Sequence, residues 1–230
     1  MRARITSNVK KTTQALVLAR QCAGWAVPLG LVAGLSLTAG CVSMADRQEA
    51  STQWRFLPVE AQSAPVRDDW AVVVRLIETR ASSGIDRRDM AYTTERQSIA
   101  YYRDNRWAAS PAVMLNEVID ETLTAQPWVR SVIRGGARVP ADLSLYCEVN
   151  RLEHEVADRG GHVHLRTACS WYRAAERELV DSMVFNQRRA IEENDAAHFA
   201  GGAQWLVDRL LADLIRDGRE LAESASDPDD

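Results

Sequence analysis

Cys147, His154, His162, His164 and Cys169 fall within one short stretch of the chain, and thiols and imidazoles are the side chains here best able to cross-link, bind metal or move protons. If the chain turns about Asp158, Cys147 and Cys169 stand opposite each other on an apolar strand face, with Cα atoms about 4.5–5.5 Å apart and within disulfide reach. Such a bond would add about 3 kcal/mol by restricting the unfolded chain. A turn centre pulled toward the second strand by Gly160-Gly161 would instead leave two buried thiols. Both readings stay open. The same register sets His154 against His162, with His164 two residues further along that face. His-x-His on a strand turns both rings to one side, which makes this a candidate zinc, nickel or copper site. No fourth ligand is fixed, Glu148 lying farther off. Solvated histidines on the polar side of a hairpin explain the pattern more cheaply.

Other catalytic constellations are missing. There is no Gly-x-Gly-x-x-Gly, no Gly-Lys-Ser/Thr, no Gly-x-Ser-x-Gly and no Cys-x-x-Cys. No lysine follows Lys11, so Schiff-base chemistry has no nucleophile in the body of the chain. Glu117, Asp120 and Glu121 fall on the polar side of a predicted helix and have no pairing as acid and base. These residues supply no cofactor site, and the only covalent group the sequence calls for is lipid.

That lipid is predicted by the N-terminus. Arg2, Arg4, Lys10, Lys11 and Arg20 precede an uncharged apolar run, and Leu37-Thr38-Ala39-Gly40 leads into Cys41. This is the layout of a secretory signal with small residues at its cut, and it resembles a bacterial lipoprotein signal. There the cysteine thiol accepts a diacylglycerol, and the small side chains admit the peptidase. An uncleaved anchor helix is the alternative, but Pro28 and Gly24, Gly30, Gly34 and Gly40 suit a stable helix poorly. At least two acyl chains would anchor the protein firmly, with residues 1–40 as signal and 41–66 as tether. Loss of the signal takes the formal charge from −4 to about −9, because five bases and no acid leave with it. An acidic surface argues against nucleic acid and against broad adhesion to anionic lipid. Cys147 and Cys169 would then face an oxidising compartment.

The elements that must position these groups are legible in outline. Trp70–Ile77 is a β-branched run, Ala91–Thr94 and Ser98–Tyr102 are two short strands, and Trp128–Ile133 is another. Ser110 with Pro111 starts a helix whose stripe is Ala112, Leu115, Val118, Ile119 and Leu123. Two long strands surround the Asp158 turn, and a third covers Leu179–Phe185. Asn194 or Asp195 caps a final helix with Phe199, Ala203, Leu206, Leu210 and Leu214 as its stripe, and Gly201-Gly202 would let it approach the sheet. Trp54, Phe56 and Leu57 could add a short strand or serve as a docking tag. The predicted fold is α+β, an antiparallel sheet with two amphipathic helices packed on one face, over 67–222, followed by an acidic tail at 223–230.

Ile85-Asp86-Arg87-Arg88, and then the run from Ile99 through Tyr101-Tyr102 and Arg106-Trp107 to Pro111, resembles the ABC-type transport auxiliary lipoproteins, also called PqiC-like proteins. The resemblance extends over roughly 54–217, with Trp54-Arg55-Phe56-Leu57-Pro58 only approximating the usual start. It implies a non-enzymatic periplasmic lipoprotein that docks onto an MCE-domain protein of an ABC-linked lipid transport system between inner and outer membranes. Val42 after the lipidated cysteine, where Asp would favour inner-membrane retention, points to the outer membrane. Tyr101, Tyr102, Arg106, Trp107 and Pro111 are then the family signature and a candidate partner interface, Arg and Trp being enriched at hot spots. The alternative is that Tyr102 and Trp107 pack the helix start onto the sheet. A ring or dimer built through this region is compatible with the aromatic cluster. A pilotin-like chaperone for another envelope machine is the competing function, and a metal-binding enzyme or sensor the third.

Overall fold

The computed structural model describes residues 51–59, 68–95, 97–135 and 139–226. The signal segment, Cys41, most of the 41–66 tether and residues 227–230 lie outside the described residues. The spine of the fold is the strand Leu143–Val156 (β7). Along its whole length it pairs antiparallel with β8 (Gly161–Arg173), which pairs antiparallel with β9 (Glu178–Ile191). The other edge of β7 is filled in instalments. β2 (Val72–Leu76) pairs with Leu143–Leu145, β3 (Arg80–Ala81) with Glu148 and Val149, and β4 (Asp89–Thr93) with His154 and Glu155. All three run parallel to β7, so the segment 72–93 acts as one interrupted strand.

Two further layers of pairing flank that edge. β6 (Val129–Arg134) lies parallel to β2, while β5 (Ala100–Trp107) is antiparallel to β4 and parallel to β1 (Thr52–Trp54). The expected antiparallel sheet is therefore corrected to a mixed one. Apolar alternation shows which face a strand buries and says nothing of its direction. Direction follows from the connections: the helix Pro111–Thr124 (α1) carries the chain back so that β6 can join β2 in parallel, as such neighbours require a crossover.

α1 begins with Pro111 in the first turn, after an extended Ser110, and buries Ala112, Met114, Leu115, Val118, Ile119 and Leu123. It lies against β3, β6 and β7 and touches the second helix, Ala196–Ser226 (α2), which covers β8 and β9. Phe199, Ala203, Leu206, Leu210 and Leu214 are all buried on α2, the predicted stripe. Gly202 explains how closely it sits, since a Cβ there would meet Val163 Cγ2 at 2.6 Å. α2 runs on through Ser226, so the start of the expected tail is helical. β9 likewise extends to Ile191, past its expected end at Phe185. Asn186–Arg189 show no apolar pattern because backbone pairing with β8 holds them. Within the 41–66 segment one short strand forms, and it includes Trp54. β1 joins the sheet, Phe56 is buried, and Leu57 exchanges both backbone hydrogen bonds with Gln204 of α2, at 2.8 and 3.0 Å.

Candidate functional site

Two of the signature residues, Tyr102 and Trp107, meet His154 and Phe199 where α2 begins. Strand β5 presents Tyr102 and Trp107, β7 presents His154, and α2 presents Phe199. Trp107 packs edge-on against Phe199 at 5.3 Å and tilted against Phe56 at 5.4 Å. Phe199 continues to His154 at 5.8 Å, and Tyr102 lies parallel to the imidazole, 6° between planes, with Tyr92 beyond it at 5.2 Å. The seam therefore runs Phe56–Trp107–Phe199–His154/Tyr102–Tyr92 and ties β1, β4, β5 and β7 to the helix. Aromatic pairs in this geometry add to their area burial.

Hydrogen bonds fix the polar end. Tyr102 Oη donates to His154 Nδ1 at 2.7 Å, His154 Nε2–H donates to Asn194 Oδ1 at 3.2 Å, and Asn194 Nδ2 donates to the Ala157 carbonyl at 2.7 Å. Because the Asn194 amide nitrogen is committed to a carbonyl, its oxygen must accept, and the imidazole carries its proton on Nε2. His154 is fully buried. Burial lowers its pKa below the usual imidazole value, against smaller opposing effects of Asn194 and Asp195. Burial, with Asp195 and Tyr92 adding to it, pushes the Tyr102 phenol up to about 12. Gly161 closes the other side of this network. A Cβ there would meet Glu155 O at 2.6 Å, His154 Nε2 at 2.8 Å and Asn194 Oδ1 at 2.9 Å. A neutral imidazole with both nitrogens engaged and no exposure acts as a clamp between sheet and helix.

Next to it, Asp195 caps α2: its Oδ1 accepts from His198 N at 2.8 Å and meets His198 Nδ1 at 3.0 Å. The backbone and ring donors of His198 hold the Asp195 carboxyl below its ordinary range, and Asp195 raises His198. Glu193, Asp195 and His198 come close enough to ligate a cation, but a helix N-terminus favours negative charge and opposes one.

The histidine site expected from the sequence is corrected. The β7–β8 register slips between Val149 and Arg151, leaving Asn150 as a bulge, so that His154 opposes Val163 and Glu153 opposes His164. The slip turns Leu152 and His154 to the core while His162 and His164 stay on the opposite face. His164 there meets Glu155 Oε1 at 3.0 Å and Asn186 Oδ1 at 2.7 Å. Arg188 grips the same carboxylate with Nε at 2.8 Å and Nη2 at 3.1 Å. Burial pushes Glu155 up, and Arg188 with His164 outweighs it, leaving the carboxyl below its usual value. His162 is exposed. Glu148 is held by Asn150 at 3.1 Å. The three imidazoles do not converge.

Before the bulge the register is the one centred on Asp158, and Cys147 is paired with Cys169 and bonded to it, with an S–S distance of 2.07 Å and Cα atoms 4.1 Å apart. Among the signature residues, Trp107 is only 1% exposed and Pro111 is buried. Their candidacy as interface residues is corrected: they pack the core, because β5 ends and α1 begins beneath the N-terminal segment. Tyr101 donates to the Gly84 carbonyl at 2.9 Å and lies under the Arg87 guanidinium at 4.4 Å. Arg106 is exposed. The contacts of Asn194 and Gly161 with His154, and the Glu155–Arg188 pair, escaped sequence reasoning, since each depends on a partner that the Asn150 bulge selects.

The sequence profile of the ABC-type transport auxiliary lipoprotein component matches residues 57–214. The chain belongs to this family. Two crystal structures share its fold. One, of a Xanthomonas campestris protein assigned to DUF330, has a TM-score of 0.61 at 15% identity, covering 72% of this chain and 93% of its own. The other, of an uncharacterized protein, has a TM-score of 0.54 at 12% identity, covering 74% and 99%. No curated protein sequence matches the chain. As a member of this auxiliary family, the protein is a lipoprotein component associated with ABC-type transport. Among the described residues, no helix is long and apolar enough to cross a membrane.

Proposed function

We propose that this protein is a non-enzymatic docking component of an ABC-linked, MCE-type lipid transport system, held by lipid on Cys41 at the periplasmic face of the outer membrane. The observation that carries the reading is the family match across 57–214, joined to a lipoprotein-type signal that ends at Cys41. The closed aromatic seam agrees with it: the most catalysis-ready side chain, His154, is spent on holding α2 to the sheet. ATP is hydrolysed by another subunit, because this chain has no Walker-type loop. Its own contribution is a rigid body, a tether and a surface for an MCE-domain partner.

Two measurements test this. Labelled palmitate is expected to enter the wild-type protein and not Cys41→Ser, which is expected to leave the outer-membrane fraction. Affinity purification from cross-linked envelopes is expected to recover an MCE-domain protein. Recovery of a secretin in its place would assign the chain to a pilotin-like role, and unchanged fractionation of Cys41→Ser would remove the anchor.

A further inference from the structure

On the sheet face turned away from α2, at the start of β7, a cleft of about 550 Å3 gathers Arg75, Arg173 and Arg177 around Tyr146 and Tyr172. We propose that this cleft docks an extended acidic segment of a partner protein, its carboxylates taken by the arginines and its aliphatic side chains by the tyrosine rings.

Register builds the cleft. Arg75 neighbours Ser144, Ser144 neighbours Tyr172, and Tyr172 neighbours Leu179, so one row crosses β2, β7, β8 and β9. Val74, Leu76, Leu145 and Trp171 on the adjacent positions are buried, which sends the row's side chains to the opposite face. Arg75 is preset, its guanidinium donating to the Gly135 carbonyl at 3.1 Å and the Val139 carbonyl at 2.6 Å. It supplies a fixed positive wall. Arg173 and Arg177 stand on the β8–β9 turn, and the carboxylate nearest Arg173, Glu176, is 3.9 Å away and more than half exposed.

Among the described residues no acidic side chain lines the cleft, although the chain as a whole is acidic. That contrast sets the occupant. A broad anionic bilayer would be repelled by the rest of the body, whereas a short acidic segment meets only this cleft. The apolar half of the occupant is indicated by the rim. Ile77, Val139 and Leu179 are 36%, 51% and 53% exposed beside it, and arginine and tyrosine with exposed aliphatics make the composition of a docking hot spot. Guanidinium forks suit carboxylates bidentately.

The inference rests on the docking reading but is tested apart from it. The full-length chain in neutral detergent is applied to arrayed peptides of about eight residues alternating Asp or Glu with Leu, Ile or Tyr, beside counterparts carrying Lys for each acid. The acidic set is expected to be retained, and Arg173→Gln combined with Arg177→Gly to weaken retention by about tenfold or more. Both residues are solvent-facing, and Arg177 has φ 57°, a backbone that glycine adopts freely. An unchanged near-ultraviolet circular dichroism spectrum verifies that the double variant is folded. Equal retention of the lysine set, unchanged affinity in the double variant, or displacement of the peptides when phosphatidylglycerol is doped into the micelles overturns the proposal. Capture of an MCE protein can succeed while the array fails, so the two readings fall separately.

Discussion

From Leu143 to Val149 the odd-numbered positions of β7 face the core, and from Leu152 onward the even-numbered ones do. The first half holds Cys147 against Cys169, and the second holds His154 against α2. Both groups end on the same buried face although seven positions apart, because Asn150 adds one unpaired residue between them. The comparison teaches how one inserted residue separates two polar systems. On the core face sit a disulfide and a neutral, fully bonded imidazole. On the opposite face sit exposed His162, half-buried Glu153 and Glu155, and His164, which is buried against Glu155 and Asn186.

The severest way to break this arrangement is to remove Asn150. With the disulfide end held in register, Arg151, Glu153 and Glu155 would be turned into the core and Leu152 and His154 out of it. If the whole strand slipped instead, Cys147 and Cys169 would part. Burying unpaired charge costs more than a domain's net stability can offset, so the deletion is expected to abolish cooperative thermal unfolding and near-ultraviolet dichroism. A smaller loss is expected on the regular half. Cys147→Ser with Cys169→Ser removes a cross-link spanning 22 residues and should lower stability by about 3 kcal/mol in urea titration. Adding reductant should cause a similar loss in the wild type and none in the double variant. Retention of full stability by the double variant would mean that the opposed positions alone hold this half.

The regular half was legible in the sequence because strict alternation specifies face and register together. Leu143, Leu145 and Cys147 with Trp171 and Cys169 marked the buried face, and of the two turn centres left open the one at Asp158 is the register found on this half. The helices were legible for the same reason: Phe199, Ala203, Leu206, Leu210 and Leu214 repeat at helical spacing and are buried together. Strand direction was not, since β2 alternates identically whether its neighbour runs parallel or antiparallel. The candidate metal site was misread at Asn150, whose residue type carries no mark of a bulge. His154 fitted a solvated place on the polar side of the hairpin, and it is in the core because Tyr102 of β5 and Asn194, just before the α2 cap, engage both ring nitrogens. Trp107 illustrates the converse: its type suited an interface, and its burial by Phe56 and Phe199 makes it core.

Acid acts on the second half of β7 and on the start of α2 beside it. His154 is held neutral by burial, with its pKa below the ordinary 6.5. As pH falls through 6.5 the unfolded chain takes up this proton before the folded chain does, so stability falls from there down to the folded pKa. His198 works in the opposite sense: its raised pKa beside Asp195 gives stability that is present below 6.5 and lost as pH rises through the folded value. The carboxylates Glu155 and Asp195, with lowered values, lose their contribution only at more acid pH. In a His198→Gln background, unfolding free energy is therefore expected to decline as pH falls below 6.5. Adding His154→Gln should flatten that slope. A slope that survives the second substitution would show that the imidazole is protonated without penalty, contrary to its closed hydrogen bonding.

The smallest effect belongs to the outer face. Glu155→Gln removes the carboxylate that Arg188 and His164 share, but Arg188 is about half exposed, and exposed ion pairs contribute up to about 1 kcal/mol. Because glutamine keeps an acceptor oxygen for one donor, the loss should be a few tenths of a kcal/mol at low salt and vanish near 1 M, where screening is short-ranged. The core-face variants should be nearly indifferent to salt. If Glu155→Gln instead cost as much as the disulfide pair, the outer cluster would have to be counted as part of the frame, and the division made by Asn150 would no longer separate structural groups from solvated ones.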